Sequence, residues 1–303
     1  MDGSGRTGRV LVTGATGTVG RRIVREALRT GATVATLGRR APGAPVAMHF
    51  SWNAVTGEVP MAAVAWSPGT VIHAAAMTDV DECEDDPDLA RRVNAGGTAQ
   101  IADLARRCGA RLLNLSTDAV FDGRRGQYGD GEVPNPVNAY GRSKLEGEVE
   151  ARAAAGSLTV RFNVVASERL TAWILDSAAT SRPIRVFTDV CFNPVEAGEL
   201  AGLLLTLCAS DLTGVCHVGS DETVSKAEYA ERLIRYADLG AQARVERVRL
   251  ADVLMRAPRP LNTSLLVSDG VLELAPMPNL DRAVRKLALA YSCSDPDGQR
   301  VAT

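Results

Sequence analysis

RVLVTGATGTVGRRIVREALRTGATVATLGRR, Arg9 to Arg40, is the stretch that decides the fold. RVLVT (Arg9 to Thr13) is a β-branched run that stops at glycines, after which Val19, Ile23, Val24, Ala27 and Leu28 recur at the spacing of one helix face. Gly31 closes that helix, and ATVATL (Ala32 to Leu37) reads as a second strand. Between strand and helix, Gly14, Gly17 and Gly20 lack the β-carbons that would hold a backbone away from a pyrophosphate. The free N–H groups of the helix N-terminus face such an anion, so the turn, with Thr16, Thr18 and Val19, reads as a dinucleotide cradle. No carboxylate ends the second strand to accept from ribose hydroxyls. Arg39 and Arg40 stand there and suit a 2′-phosphate, which favours NADPH/NADP over NAD.

The same alternation continues outward. VAMHF (Val46 to Phe50) and TVIHAAA (Thr70 to Ala76) read as strands, followed by an acidic loop between His73 and Asn94. A helix from about Leu89 to Cys108 leads into ARLLNLST (Ala110 to Thr117), and one from about Asn138 to Ala155 leads into SLTVRF (Ser157 to Phe162). This rhythm predicts an α/β fold: a doubly wound parallel sheet with a ligand crevice at the carboxyl ends of its strands. Beyond residue 163 the alternation weakens, although Leu170 to Ala179, Glu196 to Cys208, Lys226 to Tyr236 and Leu280 to Leu289 keep helical spacing. A nucleotide-binding domain over 1–163, with segments returning at about 186–236, is expected. Residues 164–185 and 237–290 then form a smaller C-terminal substrate-binding portion, and 291–303 a polar tail.

Composition narrows the partners. The chain has 303 residues, 46% of them hydrophobic and 23% charged, and a formal charge of −2, so no basic surplus exists to bind nucleic acid. No apolar run is long enough to cross a membrane. Six cysteines lie scattered without a CxxC pair or a zinc spacing, which argues against a metal and for reduced thiols in a cytoplasm. His49, His73 and His217 each sit in or beside a strand and read as core residues. DVDECEDDPD (Asp79 to Asp88) has no turn glycine among its acids and reads as a solvated cap on the next helix.

NAYGRSKLEGE sets Tyr140 and Lys144 four residues apart, on one helix face. A phenol with a pKa of about 10 becomes an effective acid near neutrality only beside a cation, which Lys144 supplies. Taken with TGATGTVG, VIHAAAMTDVDECE, VNAGGT, LSTDAVFDG, PNPVNAYGRSKLEGE and APRPLNTSL, this segment resembles the extended short-chain dehydrogenase/reductase family and, within it, the dTDP-4-dehydrorhamnose reductase group. The resemblance implies a Rossmann fold, a homodimer, and reduction of a nucleotide-activated, dTDP-type deoxysugar by NADPH. It implies that Thr117 hydrogen-bonds the substrate carbonyl, Tyr140 delivers the proton, and Lys144 lowers the tyrosine pKa and holds the nicotinamide ribose. Asn94 would support the lysine and a water chain, and Ala74, Ala75 and Ala76 would line the cofactor passage. Thr78, Asp118, Ala119, Asn163 and Arg259 are the residues it assigns to substrate, with Arg259 toward a diphosphate.

Two departures bear on the substrate. Ala119 stands where the group usually has an aromatic residue, and RFNVVAS (Arg161 to Ser167) lacks a tryptophan found in some members. Thr117 is followed by Asp118 and Ala119 rather than the Asp and Glu of a dehydratase. Two other readings remain beside the sugar reductase: a ketoreductase of a carbonyl not linked to a nucleotide, and a cofactor-binding regulatory subunit resembling methionine adenosyltransferase β.

Overall fold

The computed structural model describes residues 8–165 and 168–293; the polar tail beyond them and positions 166–167 lie outside the described residues. Strands β1 (Arg9–Thr13), β2 (Thr33–Gly38), β3 (Met48–Ser51), β4 (Thr70–His73), β5 (Arg111–Leu115) and β6 (Leu158–Phe162) come from the first half of the chain. Downstream follow β7 (Val164–Val165), β8 (Pro183–Phe187), β9 (Cys191–Phe192), β10 (Val195–Glu196), β11 (Gly214–Val218), β12 (Val224–Ser225) and β13 (Arg244–Val248). The central sheet has seven strands in the order β11-β6-β5-β4-β1-β2-β3, all paired in parallel. The chain reverses its direction of travel across the sheet after β3, which places β4 beside β1 and opens a crevice at their carboxyl ends.

The period of two along β1 explains the layers. Val10 and Val12 face one side, where they meet Ile23, Val24 and Ala27 of α1 (Thr18–Arg29). Leu11 faces the other, with Val71, Leu112 and residues Ile101, Leu104 and Ala105. The helices after α1 are α2 (Met61–Ala65), α3 (Val80–Asp85), α4 (Pro87–Arg91), α5 (Gly97–Cys108) and α6 (Ala139–Ala151). Then come α7 (Leu170–Ala179), α8 (Ala197–Ala209), α9 (Lys226–Tyr236), α10 (Asp269–Leu272) and α11 (Leu280–Cys293). A separate apolar core gathers Ile174 and Leu175 of α7, Tyr229 and Leu233 of α9, and Val284 and Leu287 of α11 around Ile184 and Val186 of β8.

The helix expected from Leu89 to Cys108 is interrupted. A π-helical turn at Arg92–Gly96 separates α4 from α5 and carries Asn94 into the interior. The acidic stretch is not an open loop but two short helices, capped where the Asp79 carboxylate accepts from the N–H groups of Asp81 and Glu82 and that of Asp86 accepts from Leu89. β4 ends at His73, so Ala74 to Ala76 are irregular backbone just beyond the strand.

Candidate active site

On the nucleotide side of the crevice, Gly14 has a φ of +64°, and a β-carbon there would stand 2.7 Å from the backbone of Ala74 and Ala75. A β-carbon on Gly20 would stand 2.1 Å from the Gly14 carbonyl oxygen, so neither position tolerates a side chain without moving backbone. The Thr13 hydroxyl accepts from the N–H groups of Ala74 (3.1 Å) and Ala75 (3.0 Å), fastening the end of β1 to the start of the alanine segment. Gly17 is the N-cap of α1 and supplies no side chain, and no acid occupies the first turn, so Thr18, Val19 and Gly20 open a helix whose N-terminal dipole is unneutralised. Thr16 is exposed in the turn, while Val19 packs on the core below. Arg39 and Arg40 follow β2, both exposed, and no ion pair holds either one among the described residues.

Thr117, Tyr140 and Lys144 converge where β5 ends. Asn138 caps α6 by accepting from the Gly141 N–H (2.9 Å). A β-carbon on Gly141 would lie 2.2 Å from the Ala119 carbonyl oxygen, so this glycine lets the helix bearing Tyr140 approach the Thr117 segment. Lys144 is buried and its ammonium donates to the Leu115 carbonyl oxygen (2.7 Å). Burial draws its pKa down to about 8, against the opposing pull of Glu148 one turn on. Burial pushes the Tyr140 phenol up to about 12, with the adjacent Thr117 hydroxyl working the other way. Burial thus keeps Tyr140 protonated at neutral pH.

Asn94 ties the crevice floor together. Its side chain accepts from the Met77 N–H (2.8 Å) and donates to the Met77 carbonyl (3.0 Å) and to Ser143 Oγ (2.9 Å), so it pins the alanine segment to α6. It reaches Lys144 only through the neighbouring Ser143. Behind it runs a neutral chain: Thr98 donates to the Asn94 carbonyl (2.6 Å), and the His73 ring bridges Thr98 (3.1 Å) and Thr13 (2.8 Å). Burial, reinforced by Lys144, lowers His73 to about 3.

Asp118 is buried and accepts from Thr117 (3.1 Å), from Asn163 (2.8 Å) and from Thr263. The residues expected to meet substrate thus hold one another: Asn163 is a donor to Asp118, and the Ala119 N–H donates to Thr117 Oγ1 (3.1 Å). Thr78 is exposed beside Arg169, which also approaches Asp79 at 3.5 Å. Arg259 is committed to Asp81 (2.9 Å) and to the Ala257 carbonyl (3.2 Å) rather than projecting unpaired toward a diphosphate. The acidic helices account for this. Asp81 also accepts from Ala257 (3.1 Å), Asp85 pairs with Arg256, and Glu84 accepts from the Ala139 N–H (2.7 Å) at the start of α6. Besides capping its own helices, the acidic stretch is a clamp between the Tyr140 helix and the 256–259 segment.

Sequence reasoning missed a second buried network beneath the site. Glu148 accepts from Ser116 (2.5 Å) and from Arg161 through both carboxylate oxygens (2.9 and 2.6 Å), and Arg161 continues to His217 (3.3 Å). At the rim, Glu168 pairs with Arg21 and Arg22 at the start of α1.

The family described as RmlD substrate binding domain matches residues 8–290. The chain belongs to this family of extended short-chain dehydrogenase/reductases, which are NAD(P)-dependent oxidoreductases. It is 32% identical over 297 residues to the probable low-salt glycan biosynthesis reductase Agl14 of Haloferax volcanii, covering 93% of this chain and 98% of that protein. It is 32% identical over 277 residues to the dTDP-4-dehydrorhamnose reductase of Mycolicibacterium smegmatis, covering 85% of this chain and 77% of the relative. The crystal structure of dTDP-4-dehydrorhamnose reductase from Yersinia enterocolitica superposes with a TM-score of 0.82 at 27% identity, covering 94% and 99% of the two chains.

Proposed function

We propose that this protein is an NADPH-dependent ketoreductase of nucleotide-activated sugars, with a dTDP-linked deoxysugar as its parent substrate. The observation that carries this reading is the meeting of Thr117, Tyr140 and Lys144 at the end of β5, across the crevice from the glycine turn. The family's relatives named dTDP-4-dehydrorhamnose reductase support the sugar nucleotide.

The residues present fit the cofactor. Gly14 and Gly20 let the turn lie close against Ala74, Ala75 and its own backbone, the uncapped start of α1 offers N–H groups to a diphosphate, and Arg39 and Arg40 suit a 2′-phosphate. Ala74, Ala75 and Ala76 leave the passage beyond β4 unobstructed by long side chains. Bound NADPH supplies the hydride. The protein's part is to orient the carbonyl and to quench the alkoxide that forms. Tyr140, neutral at physiological pH, donates its phenolic proton to that oxygen. Lys144, charged below about 8, stabilises the phenolate left behind and offers hydrogen bonds to the nicotinamide ribose. Thr117 holds the carbonyl in reach by exchanging its bond to Asp118.

Incubation with NADPH and a panel of dTDP-4-keto sugars tests this directly. Nicotinamide absorbance falls with at least one panel member, and Tyr140→Phe slows that loss by about 100-fold or more. No reduction of any member contradicts the sugar reading, and no turnover together with a stable partner enzyme marks a regulatory subunit instead.

A further inference from the structure

Lys226 is the feature that the reaction above leaves unused. It is the first residue of α9, following the N-cap Ser225, where the helix dipole disfavours a cation. Glu228 in the same turn does not neutralise it, because that carboxylate accepts from the Ser225 N–H (2.7 Å) and hydroxyl (3.0 Å). The ammonium lies 3.1 Å from the centroid of the Phe192 ring, on the strand β9 that pairs with β12 just before the helix. Among the described residues no hydrogen bond or ion pair holds it; the carboxylate whose field it feels is Asp118, already supplied with three side-chain donors.

Lys226, only partly buried, meets three costs at once: partial desolvation, a helix N-terminus and the want of a protein oxygen acceptor. Burial accordingly lowers its pKa to about 8. The cation is also placed for use. Asp118 accepts from Thr117, and its field reaches both Lys226 and Tyr140, so the ammonium neighbours the reacting centre.

We infer that Lys226 is a specificity-determining residue whose ammonium binds a carboxylate on the sugar ring, so that the preferred substrate is an acidic sugar nucleotide. This rests on the sugar-nucleotide reading and narrows it. A carboxylate supplies the acceptor that the folded chain does not, and the aromatic face of Phe192 holds the ammonium until it arrives.

The test is calorimetric binding, in the presence of NADP, of a dTDP-hexuronate and the matching dTDP-hexose to the wild type, Lys226→Met and Lys226→Arg. Methionine keeps the length over Phe192 and removes the charge. The wild type binds the hexuronate at least about tenfold more tightly than the hexose. Lys226→Met loses that preference while holding the hexose within about threefold, and Lys226→Arg restores much of it. Equal binding of the two sugars by the wild type overturns the inference, as does an unchanged preference in Lys226→Met. An equal loss for both sugars assigns Lys226 to structure and also overturns it. Failure of both sugar nucleotides to bind defeats the underlying substrate reading itself, a result distinct from loss of selectivity.

Discussion

The two walls of the crevice treat their polar groups in opposite ways. Around the glycine turn they stand unspent: α1 has no side-chain cap and no first-turn acid, and Arg39 and Arg40 have no ion pair among the described residues. Across the crevice, Lys226 apart, they are largely saturated with one another. Asp118 takes three side-chain donors, Asn94 is held by Met77 and Ser143, and Arg259 faces Asp81. An anion can therefore dock on the nucleotide wall without breaking a protein bond, whereas a substrate must exchange bonds on the other wall. Discrimination among cofactors is a matter of charge, and discrimination among sugars a matter of which internal bonds a ligand can replace.

Removing both arginines is the strongest way to break this contrast. Arg39→Ala with Arg40→Ala weakens NADPH binding by about 100-fold, from the loss of charge-assisted bonds to a 2′-phosphate, and leaves NADH within about threefold. Fluorescence titration of the two cofactors measures the ratio; an equal loss for both contradicts the assignment.

The pH profile sharpens the opposite wall. Both groups of the proton-delivery pair are in their working form at neutrality, the phenol protonated and the ammonium charged. Lys144 gives up its charge as pH rises through about 8, well before Tyr140 titrates near 12. The reduction rate is level below about 8 and falls up to tenfold per pH unit above it. A profile still flat at pH 10 removes Lys144 from the chemistry.

The smallest effect concerns the clamp. Glu84→Ala leaves the buried Ala139 N–H at the head of α6 without its acceptor and lowers stability by about 1–2 kcal/mol in urea unfolding, with little change in cofactor affinity. An unchanged midpoint shows that the acidic helices are ornamental to α6.

These contrasts follow the distance over which sequence carries meaning. The glycine turn, the parallel sheet and the Tyr140–Lys144 helix are legible because each depends on neighbours a few residues apart. The limits of α7 and α9 are legible too, since their apolar period is local. The acidic stretch shows its capping but hides its clamp, because the partners Ala139 and Ala257 lie 55 and 176 positions from Glu84 and Asp81. The π-helical turn that carries Asn94 to Met77 is set by packing against α6 and is not legible in the local spacing. The spacing of Tyr140 and Lys144 gives their proximity correctly, but the pKa of each is governed by burial, which spacing alone does not report.

Transfer of deuterium from NADPH carrying two deuterons at the nicotinamide C4 position to a dTDP-4-keto sugar tests the central claim most directly, followed by mass spectrometry of the alcohol. The account predicts a product one mass unit heavier than the unlabelled alcohol, formed by the wild type and slowed about 100-fold or more in Tyr140→Phe with cofactor affinity retained. An unlabelled product, or a Tyr140→Phe variant that works at the wild-type rate, contradicts it.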